Sequence, residues 1–335
     1  MAQQFKGPTM RRREFIAGLT GAAAWSLAAR AQRPQVVGLL NGVSFEGPYA
    51  GAVTSIRNGL EETGLAEGQD FAIEYRAADG DYERLPDLAA DLARSRVAVI
   101  VVIGAWAPAL ADRSAALSIP IVFAMASDAV EVGVANGSNG PQPNLVGATF
   151  GSAGPAFERF ASLLELRPGA SLIGYLDNSR LPGVFETNVE NLTAAARMRG
   201  RELAVFDAGT EQEVDTAFAQ MALRRVRALM ISPDPFLAAR QEQIIALAAQ
   251  SRLPTVYPAR GAVVAGGLMS YGLVRNDMYR TAGIYAGRIL KGAISAEWPI
   301  MPPTRFELVI NSRTATALRI TVPRRLLARV DEIIG

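Results

Sequence analysis

Residues 97–103 read Val-Ala-Val-Ile-Val-Val-Ile, an unbroken apolar run dominated by β-branched side chains. Such a run suits a strand whose two faces are both covered, the situation inside a parallel sheet flanked by helices. Its neighbours fit that architecture. Short apolar runs at 36–40, 71–75 and 121–123 predict further strands. Between them, 49–63 carries Val53, Ile56 and Leu60 at helical spacing, 85–93 carries Leu85, Leu88 and Leu92, and 108–117 is also helical. The order β-α-β-α-β-α-β implies a parallel sheet with right-handed crossovers.

The rhythm breaks at 133–143, where Gly137, Gly140, Pro141 and Pro143 predict a loop, and 145–150 leads out as a strand. It then restarts. Strands are predicted at 172–176, 202–206, 228–231 and 255–257, with helices at 185–198, 214–223 and 235–251. A strand at 268–271, a helix at 278–290, a strand at 306–310 and a terminal helix at 324–334 remain. These extra elements fit a chain that crosses between two α/β halves more than once. With half of its 335 residues hydrophobic, the chain is long enough for two lobes rather than one small core. No residue-level repeat relates the halves.

The start of the chain has a different logic. Arg11-Arg12-Arg13-Glu14-Phe15-Ile16 reads as a twin-arginine export signal, followed by a moderately apolar stretch at 16–29 and a small-residue cleavage site at Ala29-Arg30-Ala31. That stretch is shorter than the ~20 residues of a spanning helix and is softened by Gly18, Thr20, Gly21 and Ser26. The expectation is a periplasmic protein cut near Ala31, starting at Met1 or Met10. Lys6, Arg11, Arg12, Arg13 and Arg30 outweigh Glu14 in the signal. Against +2 for the whole chain, the exported part therefore carries about −2. No basic face is left to argue for nucleic acid.

Two absences narrow the chemistry. Without cysteine there is no disulfide, thiolate nucleophile or lipid-modified cysteine anchor, and without histidine no Ser-His-Asp triad or His-ligated metal. Lysine occurs at Lys6 and Lys291 alone. No Walker-type G-x-x-x-x-G-K-[ST] is present, and Gly38, Gly42 and Gly47 do not form G-x-G-x-x-G. Asp79-Gly80-Asp81 reads as a turn rather than a calcium loop. The expectation is a protein that is not an enzyme and carries no cofactor and no metal.

In open α/β sheets, ligands sit outside the carboxyl ends of the strands. The residues expected there are Ser44 and Phe45, Trp106, Ser127 and Asp128 in the first half. Asn178, Asp234, Phe236, Tyr257 and Tyr271 are their counterparts in the second. Each has a plainer reading: Asp128 and Asp234 as helix caps, and Trp106, Phe236 and the tyrosines as core. Their weight comes from several polar and aromatic tips facing one cleft.

Distributed stretches then match a known family. These are 119–124 with Ser127-Asp128, Asp234-Pro235-Phe236, 266–272 (Gly-Gly-Leu-Met-Ser-Tyr-Gly), Tyr279-Arg280, 287–292, 306–311 and 326–329. From 36 to 334 the chain resembles the solute-binding component of ABC-type uptake systems, in the branch similar to tryptophan- or tyrosine-binding proteins. It departs from that pattern at Asp128-Ala129-Val130, where Asp-Pro-Val is common, and at the Gly/Pro-rich 133–143. The resemblance implies two Rossmann-like lobes with parallel sheets joined by three crossovers, the type I periplasmic-binding-protein fold. The lobes are expected at 32–150 plus 268–296 and at 151–267 plus 297–320, with a terminal helix at 321–335. The partners implied are a small-molecule ligand and a membrane ABC permease, with the twin-arginine translocase during export; a monomer is expected. Trp106, Phe236 and Tyr271 would enclose an apolar part of the ligand. Asp128 and Asp234 would take an ammonium, and Ser44 and Ser127 a carboxylate, a division suited to an amino acid. The rival readings are an extracytoplasmic sensory module for a receptor or kinase, and a carboxylate-based hydrolase.

Overall fold

The computed structural model describes residues 33–104, 119–125, 145–149, 154–180, 184–293 and 305–335. Strands β1 (Gln35–Asn41), β2 (Phe71–Ala77), β3 (Val99–Ile103), β4 (Ile121–Met125) and β5 (Leu145–Thr149) form one sheet in the order β2-β1-β3-β4-β5, every pair parallel. All five residues of β3 are fully buried, as its β-branched composition requires. Helices α1 (Ala50–Glu62) and α2 (Leu85–Arg94) follow β1 and β2. They bury the periodic residues Ile56 and Leu60, and Leu85 and Leu92.

The second sheet holds β6 (Leu172–Asp177), β7 (Glu202–Asp207), β8 (Ala228–Ile231), β9 (Thr255–Tyr257), β10 (Met269–Leu273), β11 (Phe306–Asn311) and β12 (Glu332–Ile334), in the order β12-β11-β10-β9-β8-β6-β7. Its pairs are parallel except β10 with β11. Helices α3 (Gly154–Leu166) and α4 (Val184–Met198) are joined by α5 (Glu211–Leu223), α6 (Pro235–Ala239), α7 (Gln241–Gln250) and α8 (Arg260–Val264). The chain passes between lobes after β5, again at Val274 after β10, and a third time between α9 (Arg275–Leu290) and β11. This is the two-lobed α/β architecture with parallel sheets.

The second passage works because α9 docks against α1 at backbone distance. A Cβ on Gly283 would lie 2.1 Å from the Ile56 carbonyl oxygen, and one on Gly59 would lie 2.1 Å from that of Arg280. No side chain larger than hydrogen can be accommodated there, so glycine alone fits so close a helix pair. Around this contact the apolar residues Met278, Tyr279, Ala282 and Ala286 are buried.

Several elements differ from the sequence reading. The helix expected at 235–251 is two helices broken at Arg240, because the Asp234-capped α6 ends after five residues. The terminal helix is four residues long, α11 (Arg324–Leu327), and the chain then extends as β12 against β11. Ile333 and Ile334, both β-branched, suit that sheet edge better than a helix end. Of the stretch 268–296 expected in the first lobe, β10 lies in the second sheet and α9 packs on the first. Helices α3, α8 and α10 (Ser312–Ala317) were not expected, the last two because one turn or so is too short for a period to register. The export signal and the helix at 108–117 lie outside the described residues.

Candidate functional site

The carboxyl ends of the second sheet's strands turn toward the first lobe. β6 ends at Asp177, followed by buried Asn178, and β8 ends at Ile231, followed by buried Ser232 and Asp234. Asp234 caps α6: its backbone is extended and its Oδ1 accepts the Leu237 N–H at 2.9 Å. Its Oδ2 accepts from the Asn178 amide at 3.4 Å and from the Tyr82 phenol at 3.1 Å. Tyr82 belongs to the first lobe. Its hydroxyl also accepts the Phe236 N–H at 2.9 Å, so one side chain spans the two lobes with two hydrogen bonds.

Electrostatics follow from burial. Desolvation raises Asp234 to about 7, although hydrogen bonds from Leu237, Asn178 and Tyr82 favour its charged form. Burial likewise raises Asp177 to about 6. The Tyr82 phenol is pushed well up by burial and by the neighbouring Asp234 charge.

Beside this bridge lies a cavity of about 300 Å³. Pro48 and Gly51 wall it from the first lobe, Ser232 and Tyr257 from the second, and Arg275 and Tyr279 from the returning α9. That volume is at the lower end for small-molecule sites, and its place between lobes is where such sites concentrate. Among the described residues no group of His, Cys, Asp and Glu side chains is placed to hold a metal ion.

The family profile for ABC transporter substrate binding proteins matches residues 37–334. The chain belongs to that family. A tyrosine-binding protein of Clostridioides difficile is 23% identical over 260 residues, covering 77% of this chain and 74% of the relative. Among solved structures, an ABC domain in complex with L-Trp from Streptococcus pneumoniae superposes with a TM-score of 0.79 at 24% identity, covering 90% of this chain and 100% of that one. A periplasmic binding protein/LacI regulator from Alkaliphilus metalliredigens, complexed with D-xylulofuranose, gives 0.56 at 14% identity over 82% of this chain and 97% of that one.

In this substrate-binding protein the expected site residues separate into groups. Asn178 and Asp234 meet in the bridge, but both Asp234 oxygens are engaged within the fold. Tyr257 lines the cavity. Phe236 is 6% exposed, with the Arg240 guanidinium 5.9 Å from its ring centre, and is not among the described residues that line the cavity. Tyr271 is half-buried and stacks on Phe306 at 5.8 Å. Ser44 is exposed and its hydroxyl accepts the Glu46 N–H at 3.2 Å. Phe45 meets Tyr75 edge-on at 5.3 Å. Trp106, Ser127 and Asp128 lie outside the described residues.

Tyr82, Arg159 and Arg275 escaped the sequence reading. Tyr82 follows the Asp79-Gly80-Asp81 turn, where Asp79 and Gly80 adopt positive φ; the turn was legible, its role in aiming Tyr82 was not. Arg159 sits inside a helix and Arg275 at the start of one, with no motif to flag either.

Proposed function

We propose that this chain is an exported binding protein that closes on a small ligand and presents it to a membrane ABC permease, without a chemical step. The observation that carries the reading is the cavity between two sheets whose carboxyl ends face each other, bridged by Tyr82 and Asp234. A hydrogen bond between lobes rather than within one is what hinge closure makes and breaks. The twin-arginine stretch at 11–16 supports export to the periplasm, with cleavage near Ala31. Among the described residues no helix is long and apolar enough to cross a membrane. One-to-one docking on a permease fits a monomer.

An amino acid or aromatic compound is the ligand class that similarity favours, through the tyrosine-binding relative and the L-Trp complex. A third neighbour, a solute-binding protein from R. palustris in complex with benzoate, points the same way. The test is a thermal-shift and calorimetry screen of the protein from Gln32 against amino acids, aromatic acids, purines and sugars. A ligand that binds the folded state raises Tm in proportion to the logarithm of its concentration over Kd. A saturable shift with one-to-one stoichiometry and no product is expected. Turnover of any bound compound would overturn the reading.

A further inference from the structure

Arg159 lies in the second turn of α3, where the chain has just entered the second lobe. It is 5% exposed, yet among the described residues its Nε has no hydrogen-bond partner, and its Nη1 makes a long bond of 3.4 Å to the Tyr271 carbonyl. No ion pair joins it to a carboxylate among the described residues. Burial lowers it to about 10, so it stays charged at neutral pH. A buried guanidinium without a direct ion pair is costly, and buried charges are otherwise found paired.

Arg159 is not among the described residues that line the cavity, but it lies toward the same end of the second sheet. Tyr271 stands one residue past Ser270, which is level with the last residue of β9, so Arg159 reaches the carboxyl edge of the sheet. The charged and titratable groups around it are Tyr175, Arg275, Tyr271 and Asp177. Arg275 is a second cation and lines the cavity. Asp177 ends β6, is 3% exposed, and receives the Asn178 N–H on Oδ1 at 2.8 Å, while among the described residues Oδ2 has no partner in hydrogen-bond geometry. Ser232, Tyr175 and Asn188 approach it as side-chain hydrogen-bond donors and favour its charged form, so any free acceptor capacity is confined to Oδ2. Two buried groups of opposite charge, each with one unsatisfied atom and unpaired with each other, face the same end of the sheet.

We infer that Arg159 holds the carboxylate of an organic-acid ligand and that Asp177 accepts from a donor on the same molecule. The inference rests on the binding reading above and assigns its polar contacts. It moves the ammonium site away from Asp234, whose oxygens are already used, and the carboxylate site away from Ser44.

The experiment compares acids with their amides by calorimetry: L-tryptophan with L-tryptophanamide and benzoate with benzamide, with myo-inositol as an uncharged probe. The acid is expected to bind at least about 30-fold more tightly than its amide, the loss typical of a buried charge deprived of its partner. Arg159→Gln should abolish that preference and Arg159→Lys restore part of it. If Arg159 merely braces the Tyr271 carbonyl, Arg159→Gln lowers the ligand-free Tm while the acid preference persists, which overturns the assignment. Equal binding of acid and amide by the native protein overturns it without recourse to any variant. Binding of myo-inositol and of no acid also overturns it, while leaving the binding function standing. If no probe binds and no small molecule is released on denaturing the purified protein, the binding function falls, and the assignment with it.

Discussion

Replacing Tyr82 by Phe removes one oxygen and tests the bridge between lobes. The side chain is 8% exposed and keeps its ring, so packing within the first lobe is preserved. What is lost is the donor to Asp234 Oδ2 at 3.1 Å and the acceptor for the Phe236 N–H at 2.9 Å. Asp234 retains Asn178 and Leu237, but the buried Phe236 N–H is left without its acceptor. Such a group costs about 1–3 kcal/mol. When the lobes part, water satisfies it, so the cost falls on the closed form alone. At about 1.4 kcal/mol per factor of ten, the closed-to-open ratio drops roughly 5- to 150-fold. The apparent Kd is the intrinsic Kd divided by the closed fraction. A protein that is mostly open without ligand would therefore lose that whole factor in Kd. One that is mostly closed would show a larger radius of gyration by small-angle scattering and a smaller loss of affinity. Both quantities should be measured on the same preparation. Wild-type scattering together with wild-type Kd in Tyr82→Phe would refute the argument that this contact sets closure.

Three further outcomes are expected. Burial holds Asp234 at about 7 and Asp177 at about 6, against an ordinary 3.8. The folded state therefore keeps protons that the unfolded chain has released. Stability from these groups is complete below about pH 3.8 and is lost as pH rises through 6 to 7; Asp234→Asn should flatten this slope in urea titrations between pH 4 and 7, and an unchanged slope counts against the buried-acid argument. Gly283→Ala would set a methyl 2.1 Å from the Ile56 carbonyl oxygen and should cost about 1–3 kcal/mol or more, and a wild-type Tm would show that α1 and α9 do not meet so closely. Arg280→Ala removes the exposed pair with Glu62 and should change stability by less than about 1 kcal/mol, with a larger loss indicating that the pair anchors α9 rather than decorating it.

The fold was legible because its signal is local and repeated. The β-branched run ending at Ile103 and the helical spacing of Val53, Ile56 and Leu60 each declare their surroundings through period alone. Alternation of such segments then leaves few topologies. The ends of that logic show where it stops. β12 is three residues that find an edge of β11, and α8 and α10 are too short to carry a period. Of the cleft residues, Asn178, Asp234 and Tyr257 were found because strand ends are predictable from strands. Their roles were not, since Asp234 serves a cap and a bridge to Tyr82 that comes from a residue 152 positions away.

Local apolar periodicity along the chain is enough to specify two parallel-sheet α/β halves, and the lack of Cys and His excludes thiolate and imidazole chemistry. Which polar groups are spent and which are left over is set by long-range packing. Whether a carboxylate or guanidinium is satisfied depends on atoms brought within about 3 Å by long-range folding. No pattern along the chain distinguishes Asp234, whose oxygens are occupied, from Asp177 and Arg159, which each keep an unsatisfied atom toward the same end of the second sheet.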